Sequence, residues 1–348
     1  MSGTPGAPAL AAPPPPRSPW QRLYGAVLAA RRRRLAGTAV RLDRPVVSVG
    51  NLHWGGGGKT PLTLALARHF AAGGRRVTIL SRGYRRAGGG PLVVSRGAGP
   101  EVGVAAAGDE PFEMAAALPG VGVVVGERRV EAARLALASF AVDLFLLDDG
   151  FSHAALARDV DLLVFPAADP FAGGRLLPSG RLREPLAAAR HAHAAILTGA
   201  DPRAAGTGSR LAAALAPFGF AGAGFASATE TGPPRLLEAE VPLAAGTPVA
   251  AVAAIARPEP FFAAARASGA AVVAELAFGD HHGYPEADLR AIERRTRAAG
   301  AGVVLTTAKD RAKLEGRLEL PLAVLPILAQ PEPALFDFLE RALAGRSR

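Results

Sequence analysis

Val46-Val47-Ser48-Val49-Gly50-Asn51-Leu52-His53-Trp54-Gly55-Gly56-Gly57-Gly58-Lys59-Thr60-Pro61 runs from an apolar strand signal through four glycines into a helical pattern that continues to about residue 72. Glycines let successive backbone N–H groups turn inward around phosphate oxygens. A lysine closing such a turn reaches the β- and γ-phosphates of a nucleotide, and a hydroxyl beside it holds magnesium. A strict P-loop carries glycine five residues before Gly58, where this chain has His53, so the match is to the GGxGKT variant. Pro61 suits the first helical turn, which has no use for its N–H. Gly55, Gly56, Gly57, Gly58, Lys59 and Thr60 are therefore the expected ATP-binding residues, and Thr60 is also an expected Mg²⁺ ligand.

Outward from this stretch, strand and helix signals alternate. Residues 46–49, 77–80, 121–125, 142–147, 160–165 and 194–197 read as strands, with helices through residue 72 and over 127–139. Such alternation predicts a P-loop-type α/β fold, a doubly wound parallel sheet. Residues 206–234 are rich in Gly, Ala and Thr and break the rhythm. Alternation then resumes with strands at 249–254, 271–276 and 303–306 and helices near 260–267, 285–298 and 333–344. The expected organisation is a disordered tail at 1–16, a basic amphipathic helix at 17–36 and a P-loop domain at 37–220. A linker at 221–245 and a smaller α/β domain at 246–348 complete it.

The apolar run at 142–147 leads into Asp148-Asp149. A carboxylate at the end of a buried strand can face the P-loop and bind magnesium directly or through water. Asp148 and Asp149 join Thr60 as the expected metal ligands. Arg82, Arg183 and Arg257 are candidates for gripping phosphate, since guanidinium binds such oxygens bidentately.

The formal charge of +10 is carried almost wholly by arginine, which suits an anionic partner. Lysine occurs only at Lys59, Lys309 and Lys313, so each marks a place where a compact point charge can be wanted. The absence of cysteine excludes disulfides, zinc-thiolate sites and thiol nucleophiles. Near the start, Ser18 and Gln21 read as a capping box, with Pro19 at the first helical position. Trp20, Leu23, Tyr24, Val27 and Leu28 then recur at helical spacing, flanked by Arg22 and Arg31–Arg34. A basic amphipathic helix of this kind can lie in a lipid interface. The apolar run is too short to span a bilayer, and the arginines follow it, unlike a signal peptide. The expectation is a peripheral or monotopic protein with its body in the cytoplasm.

Several stretches, in order, resemble the tetraacyldisaccharide 4'-kinase (lipid A 4'-kinase) family. They are Gly50-Asn51-Leu52 into the glycine run, Ser81-Arg82-Gly83-Tyr84, Gly108-Asp109-Glu110-Pro111, and Asp148-Asp149-Gly150-Phe151 with His153. Leu176-Leu177-Pro178, Leu182-Arg183-Glu184-Pro185, Ala256-Arg257-Pro258, Asp280-His281-His282 and Thr307 to Asp310 follow. The likeness covers about residues 23–314. It departs from the family at Ser152, where Gln is usual, and at Gly57, Arg85, Arg181 and Ala308. The resemblance implies transfer of the γ-phosphate of ATP, with Mg²⁺, to the 4'-hydroxyl of a tetraacylated glucosamine disaccharide 1-phosphate in lipid A biosynthesis. The setting it implies is the cytoplasmic face of the inner membrane. It also implies that Asp109 accepts the hydroxyl proton and that His281 partners it, with His282 open as the alternative. Lys59 joins them as a catalytic residue.

Other classes fit less of the chain. A nucleotide-switch ATPase of the partitioning or metallochaperone type shares the loop but leaves the GDEP, LREP and DHH stretches unexplained. A nucleic-acid-binding ATPase suits the charge, yet aromatic residues for base stacking are few and no helicase-like motif set occurs. No nucleic-acid partner is expected. An intact P-loop argues against a purely structural membrane-docking protein.

Overall fold

A computed structural model describes residues 10, 13, 18–55, 57–239, 241–280 and 282–345. The first part of the chain forms α1 (Pro19–Ala36), β1 (Val46–Asn51), α2 (Lys59–Ala72), β2 (Val77–Ser81) and β3 (Leu92–Ser95). There follow α3 (Val104–Ala107), α4 (Asp109–Ala117), β4 (Gly122–Val125), α5 (Arg129–Ser139) and β5 (Leu144–Asp148). Next come β6 (Val160–Pro166), β7 (Ala194–Thr198), α6 (Thr207–Leu215) and β8 (Ala223–Thr231). The remainder forms β9 (Arg235–Leu236), β10 (Pro248–Ala253), α7 (Glu259–Ala267), β11 (Ala271–Ala277) and α8 (Glu286–Ala298). The chain closes with β12 (Val303–Thr307), α9 (Ala308–Leu314), β13 (Leu322–Leu325), β14 (Ile327–Pro331) and α10 (Pro333–Ala344).

One sheet has the order β14-β8-β7-β6-β1-β5-β2-β4-β3, parallel except at its two edge pairs, β14 with β8 and β3 with β4. The second has the order β11-β10-β12-β13-β9. β1 is central because every one of its residues is buried, which both-face coverage by helices requires. Val47 and Val49 point into a cluster with Leu62, Leu66 and Phe70, the stripe of α2 at four-residue spacing. Val46 packs on the other face with Ala132, Ala133 and Ala136 of α5. Each such Val or Leu side chain contributes about 1.5–3 kcal/mol of burial. From β1 the chain turns to β2 on one flank, and after β5 it turns to β6 on the other. The carboxyl ends of β1 and β5 thus lie side by side at a topological switch point, where ligands of open α/β sheets bind.

The division of the chain differs from the one expected. β8, inside the expected linker 221–245, pairs in parallel with β7 in the large sheet. Its Gly- and Ala-rich composition has a packing cause. A Cβ on Gly224 would lie 2.0 Å from the Gly208 carbonyl oxygen, so α6 rests on β8 backbone to backbone. The last strand and helix also return to the first unit. β14 pairs with β8, and Leu335, Leu339 and Leu343 of α10 enter the core cluster of β1 and α2. The smaller unit is thus an insertion from β9 to β13.

α1 begins where expected, but Ser18 makes no side-chain cap and Gln21 is buried against the body, so no capping box forms. The apolar stripe divides. Trp20, Leu23 and Val27 are 53%, 60% and 56% exposed, while Tyr24 packs toward the core. Arg32, from the basic run that flanks the stripe, turns toward the protein body. Its Nη2 donates to the Phe151 carbonyl at 3.0 Å and to Glu184 Oε2 at 2.9 Å, with the guanidinium 4.1 Å above the Phe151 ring. No helix among the described residues is long and apolar enough to cross a membrane.

Candidate active site

The loop after β1 and the end of β5 bring the nucleotide-binding candidates together. Gly58 has φ +81°, and α2 starts at Lys59 immediately after it. Asn51 Nδ2 donates to the Gly55 carbonyl at 3.3 Å, and Thr198 Oγ1, at the end of β7, donates to the Gly57 carbonyl at 2.8 Å. The ends of β1 and β7, on either side of β6, thereby hold the loop toward the helix N-terminus, whose free N–H groups favour an anion. Gly56 lies outside the described residues. Thr60 sits partly exposed in the first turn of α2.

Asp148 closes β5, and Thr63 Oγ1 of α2 donates to its Oδ1 at 3.3 Å. Burial, then the nearby Glu110 and Asp149, push its carboxyl up to about 7. Asp149 adopts φ +51°, an uncommon conformation for a residue with a side chain. A bidentate grip holds it there, with Arg183 Nη2 2.7 Å from Oδ1 and Nη1 3.0 Å from Oδ2. Lys59 Nζ stands 3.7 Å from Oδ1. Burial alone would raise the Asp149 carboxyl, but Lys59 and Arg183 outweigh it and hold it at about 2. Arg183 also donates to Asn51 Oδ1 at 2.6 Å, so both of its terminal nitrogens engage the loop residue Asn51 or Asp149. The stretch around it is anchored by the Arg183 N–H to the Leu52 carbonyl, 2.7 Å, and by the Trp54 N–H to the Arg181 carbonyl, 2.7 Å.

These groups fit magnesium. The ion takes hard oxygens and is usually held by one or two carboxylates together with substrate phosphates. Asp148 and Asp149 supply such carboxylates beside the loop, and no larger His, Asp and Glu cluster that could hold a metal alone occurs among the described residues. The Asp148 carboxyl is raised because burial, Glu110 and Asp149 outweigh the opposing charges of Lys59 and Arg129.

Asp109 is the first residue of α4, which packs against α2 on one side and α9 on the other. Lys313 Nζ, from α9, lies 2.7 Å from Asp109 Oδ2. The same helix carries Glu110 and Glu113, whose carboxyl is pushed up to about 7 by burial and then by Glu110. His281 lies outside the described residues. His282 Nε2 is 2.7 Å from Asp288 Oδ2, and its ring stacks on Phe278, so it is engaged inside the smaller unit. Arg82 follows β2 and Arg257 follows β10, both exposed.

Lys313 stands out in the sequence only as a rare lysine with no role attached, and two further groups carry no signal there. Arg129, at the start of α5, is buried, and burial lowers its guanidinium to about 10 despite the Asp148 and Asp149 carboxylates nearby. Thr198 carries no sequence signal, because its loop contact joins residues far apart in the chain.

The family model for tetraacyldisaccharide-1-P 4'-kinase matches residues 17–344. A tetraacyldisaccharide 4'-kinase of Anaeromyxobacter dehalogenans (strain 2CP-C) is 43% identical over 315 residues, 88% of this chain and 82% of that protein. One from Geobacter sulfurreducens is 40% identical over 332 residues, 92% of this chain and 90% of that protein. The crystal structure of LpxK from Aquifex aeolicus in complex with ATP matches with a TM-score of 0.74 and 31% identity, over 93% of this chain and 98% of that one. The glycine loop, the aspartate pair and the Asp109 helix thus sit in a fold and sequence shared along nearly the whole length, and this chain belongs to the tetraacyldisaccharide 4'-kinase family.

Proposed function

We propose that the protein transfers the γ-phosphoryl group of ATP to the 4'-hydroxyl of a tetraacylated glucosamine disaccharide 1-phosphate, with the roles divided as follows. The loop at 55–58 and Lys59 bind the β- and γ-phosphates. Thr60, Asp148 and Asp149 would hold Mg²⁺, which when bound offsets charge on the phosphate oxygens. Arg183 keeps Asp149 in its left-handed conformation and ionised. Asp109, which the family resemblance pairs with His281, accepts the proton of the attacking hydroxyl. The sugar oxygen forms a bond to the γ-phosphorus as the bond to the β,γ-bridging oxygen breaks, ADP leaves, and the hydroxyl proton ends on the Asp109 carboxylate. Arg82 and Arg257, exposed after the carboxyl ends of β2 and β10, are assigned to anionic groups of the substrate.

The observation that carries this reading is the convergence of two carboxylates and a lysine at the ends of β1 and β5, with a third carboxylate on the neighbouring α4. A nucleotide switch needs the first set and has no use for an acceptor base.

The membrane setting has its own support. Trp20, Leu23 and Val27 form an exposed apolar face on a helix rich in arginine, and Trp20 stacks on Tyr24 with ring centres 6.0 Å apart. This face suits the headgroup level of an anionic bilayer, and we assign the protein to the cytoplasmic face of the inner membrane, where its lipid acceptor lies.

Comparing Lys59→Ala with Asp109→Asn tests the division of roles. Both variants should lose transfer to the lipid, but Asp109→Asn should still bind ATP with nearly the parent affinity while Lys59→Ala binds it poorly. Full transfer by Asp109→Asn would remove Asp109 from the mechanism.

A further inference from the structure

We propose that Arg32 is a positioning residue for Asp149. By neutralising Glu184 it leaves the Arg183 guanidinium to Asp149, and so ties α1, the helix assigned to the membrane, to the end of β5. This rests on the reading of Asp149 as a magnesium ligand.

The two faces of α1 meet different surroundings. Trp20, Leu23 and Val27 are exposed, while Gln21, Tyr24, Leu28 and Arg32 recur at helical spacing on the face turned to the body. Arg31, Arg33 and Arg34 stay exposed, and Arg32 alone of that run is drawn in. The helix is not packed solidly on the body here. A cavity of about 320 Å³ lies between it and residues 184–191. A polar tie rather than close packing therefore sets this end of α1.

That tie reaches both segments that form the Asp149 grip. Arg32 Nη2 donates to the carbonyl of Phe151, two residues after Asp149, and to Glu184, the residue after Arg183. Ser152 Oγ donates to the other oxygen of Glu184. Phe151 in turn leans on Gly50, where an added Cβ would lie 2.4 Å from the Phe151 Cβ. Gly50 precedes Asn51, which also accepts from Arg183. Residues 149–152 and 183–184 are thus laced by Arg183 on Asp149 and, further along both, by Arg32.

The charges explain why the outer lace matters. The Arg32 and Glu184 side chains are only 12% and 11% exposed, and a carboxylate so far from water needs a cation. Arg183, its chain neighbour, already feels the Glu184 charge. With Arg32 removed, Arg183 would be divided between two carboxylates. The two-pronged hold that keeps Asp149 at φ +51° and ionised would then loosen.

Kinetics with a short-chain acceptor in solution take membrane binding out of the readout. Arg32→Met should lower kcat there roughly tenfold, the scale of a coupling carried through neighbouring residues. Arg32→Gln, a milder change that keeps an N–H for the Phe151 carbonyl, should lose as much. The KM for ATP should change less than about threefold, since the nucleotide loop is untouched. Arg32→Lys keeps the charge and should recover most of the rate. Adding Glu184→Gln to either neutral variant removes the competing carboxylate and should also recover most of it, whereas a loss of packing alone would deepen. A second readout needs neither metal nor turnover. In metal-free protein with ¹³C-labelled aspartate, the Asp149 carboxyl signal, assigned by its disappearance in Asp149→Asn, should stay flat from neutral pH down to about pH 3.5, because that carboxyl is held at about 2. In Arg32→Gln it should begin to titrate, its proton affinity raised about tenfold. Parent-like kcat in both neutral variants, double variants no better than the singles, or a flat Asp149 signal in Arg32→Gln overturns the proposal. Those results with an inactive Asp149→Asn would sink only the role of Arg32. A fully active Asp149→Asn would sink the reading of Asp149 as a magnesium ligand itself.

Discussion

Replacing Gly58 by alanine probes the loop geometry on which nucleotide binding depends. At φ +81° a side chain costs about 1–2 kcal/mol in left-handed strain. The new Cβ would lie 3.0 Å from Thr198 Cβ and 3.1 Å from its Cγ2 and Oγ1. Thr198 cannot rotate away freely, because its hydroxyl donates to the Gly57 carbonyl, and losing that bond costs roughly 1 kcal/mol. The two effects sum to about 2–3 kcal/mol against the bound loop conformation, or roughly a 30- to 150-fold weaker affinity for ATP. Titration with a fluorescent ATP analogue should report that loss. The nucleotide-free protein should unfold within about 2 °C of the parent, because the cost is local to one loop. Gly55→Ala is the internal control. It has φ +98° with nothing within 4 Å of the added Cβ, so only the strain remains and the loss should be near tenfold. Thr198→Ala added to Gly58→Ala should relieve the contact but not the strain. ATP binding by Gly58→Ala within twofold of the parent would refute the reasoning, as would an equal loss in Gly55→Ala.

Arg183→Met should lower kcat by roughly a hundredfold with Asp149 left to Lys59 alone, and Arg183→Lys should recover little, since one ammonium cannot reproduce the two-pronged grip. Steady-state kinetics at saturating Mg²⁺ and ATP would decide it, and a fully active Arg183→Lys would contradict it. Changing Trp20, Leu23 and Val27 together to serine should cut co-sedimentation with anionic vesicles at least tenfold, since each apolar side chain buried in lipid contributes about 1.5–3 kcal/mol. Phosphorylation of a short-chain acceptor in solution should hold near the parent rate, and unchanged vesicle binding would remove α1 from membrane contact. The pH dependence of stability should have two limbs. Glu113, pushed up to about 7, keeps its proton in the folded chain where the unfolded chain has lost it, so stability falls as pH rises from about 4.5 to about 7. Asp148 acts in the same direction. His53, lowered to about 4 chiefly by burial, resists protonation that the unfolded chain accepts, so stability also falls as pH drops from about 6.5 toward 4. Calorimetry of nucleotide-free protein should show Tm declining from pH 6.5 to 7.5, with a shallower decline in Glu113→Gln; an identical slope in that variant would dismiss Glu113 as a contributor.

The part of the site legible in the sequence is the part built from neighbours in the chain. The strand, glycine run and helix at 46–72 carry their own local signals, and so does the apolar run that ends in Asp148-Asp149. Asp109 came only through the family resemblance. The helix it opens was unread, because Gly108 and Pro111 give the stretch the look of a turn, yet Pro111 falls in the first helical turn where its missing N–H is harmless. Contacts between distant residues left no trace. Sequence shows that residue 183 is a guanidinium, but only the fold shows that Asp149 and Asn51 consume it. The return of β14 and α10 to the first sheet was hidden for the same reason, since helical spacing at Leu335, Leu339 and Leu343 says that a face is buried and not against what.

The most direct measurement is the fate of the γ-phosphate. The parent protein, ATP labelled at that position, Mg²⁺ and the tetraacylated disaccharide 1-phosphate in detergent micelles should give one labelled lipid, with the new phosphorus resonance assigned to the 4'-position and ADP formed in equal amount. ADP accumulating beside an unmodified lipid, or label appearing at any other hydroxyl, would contradict the account.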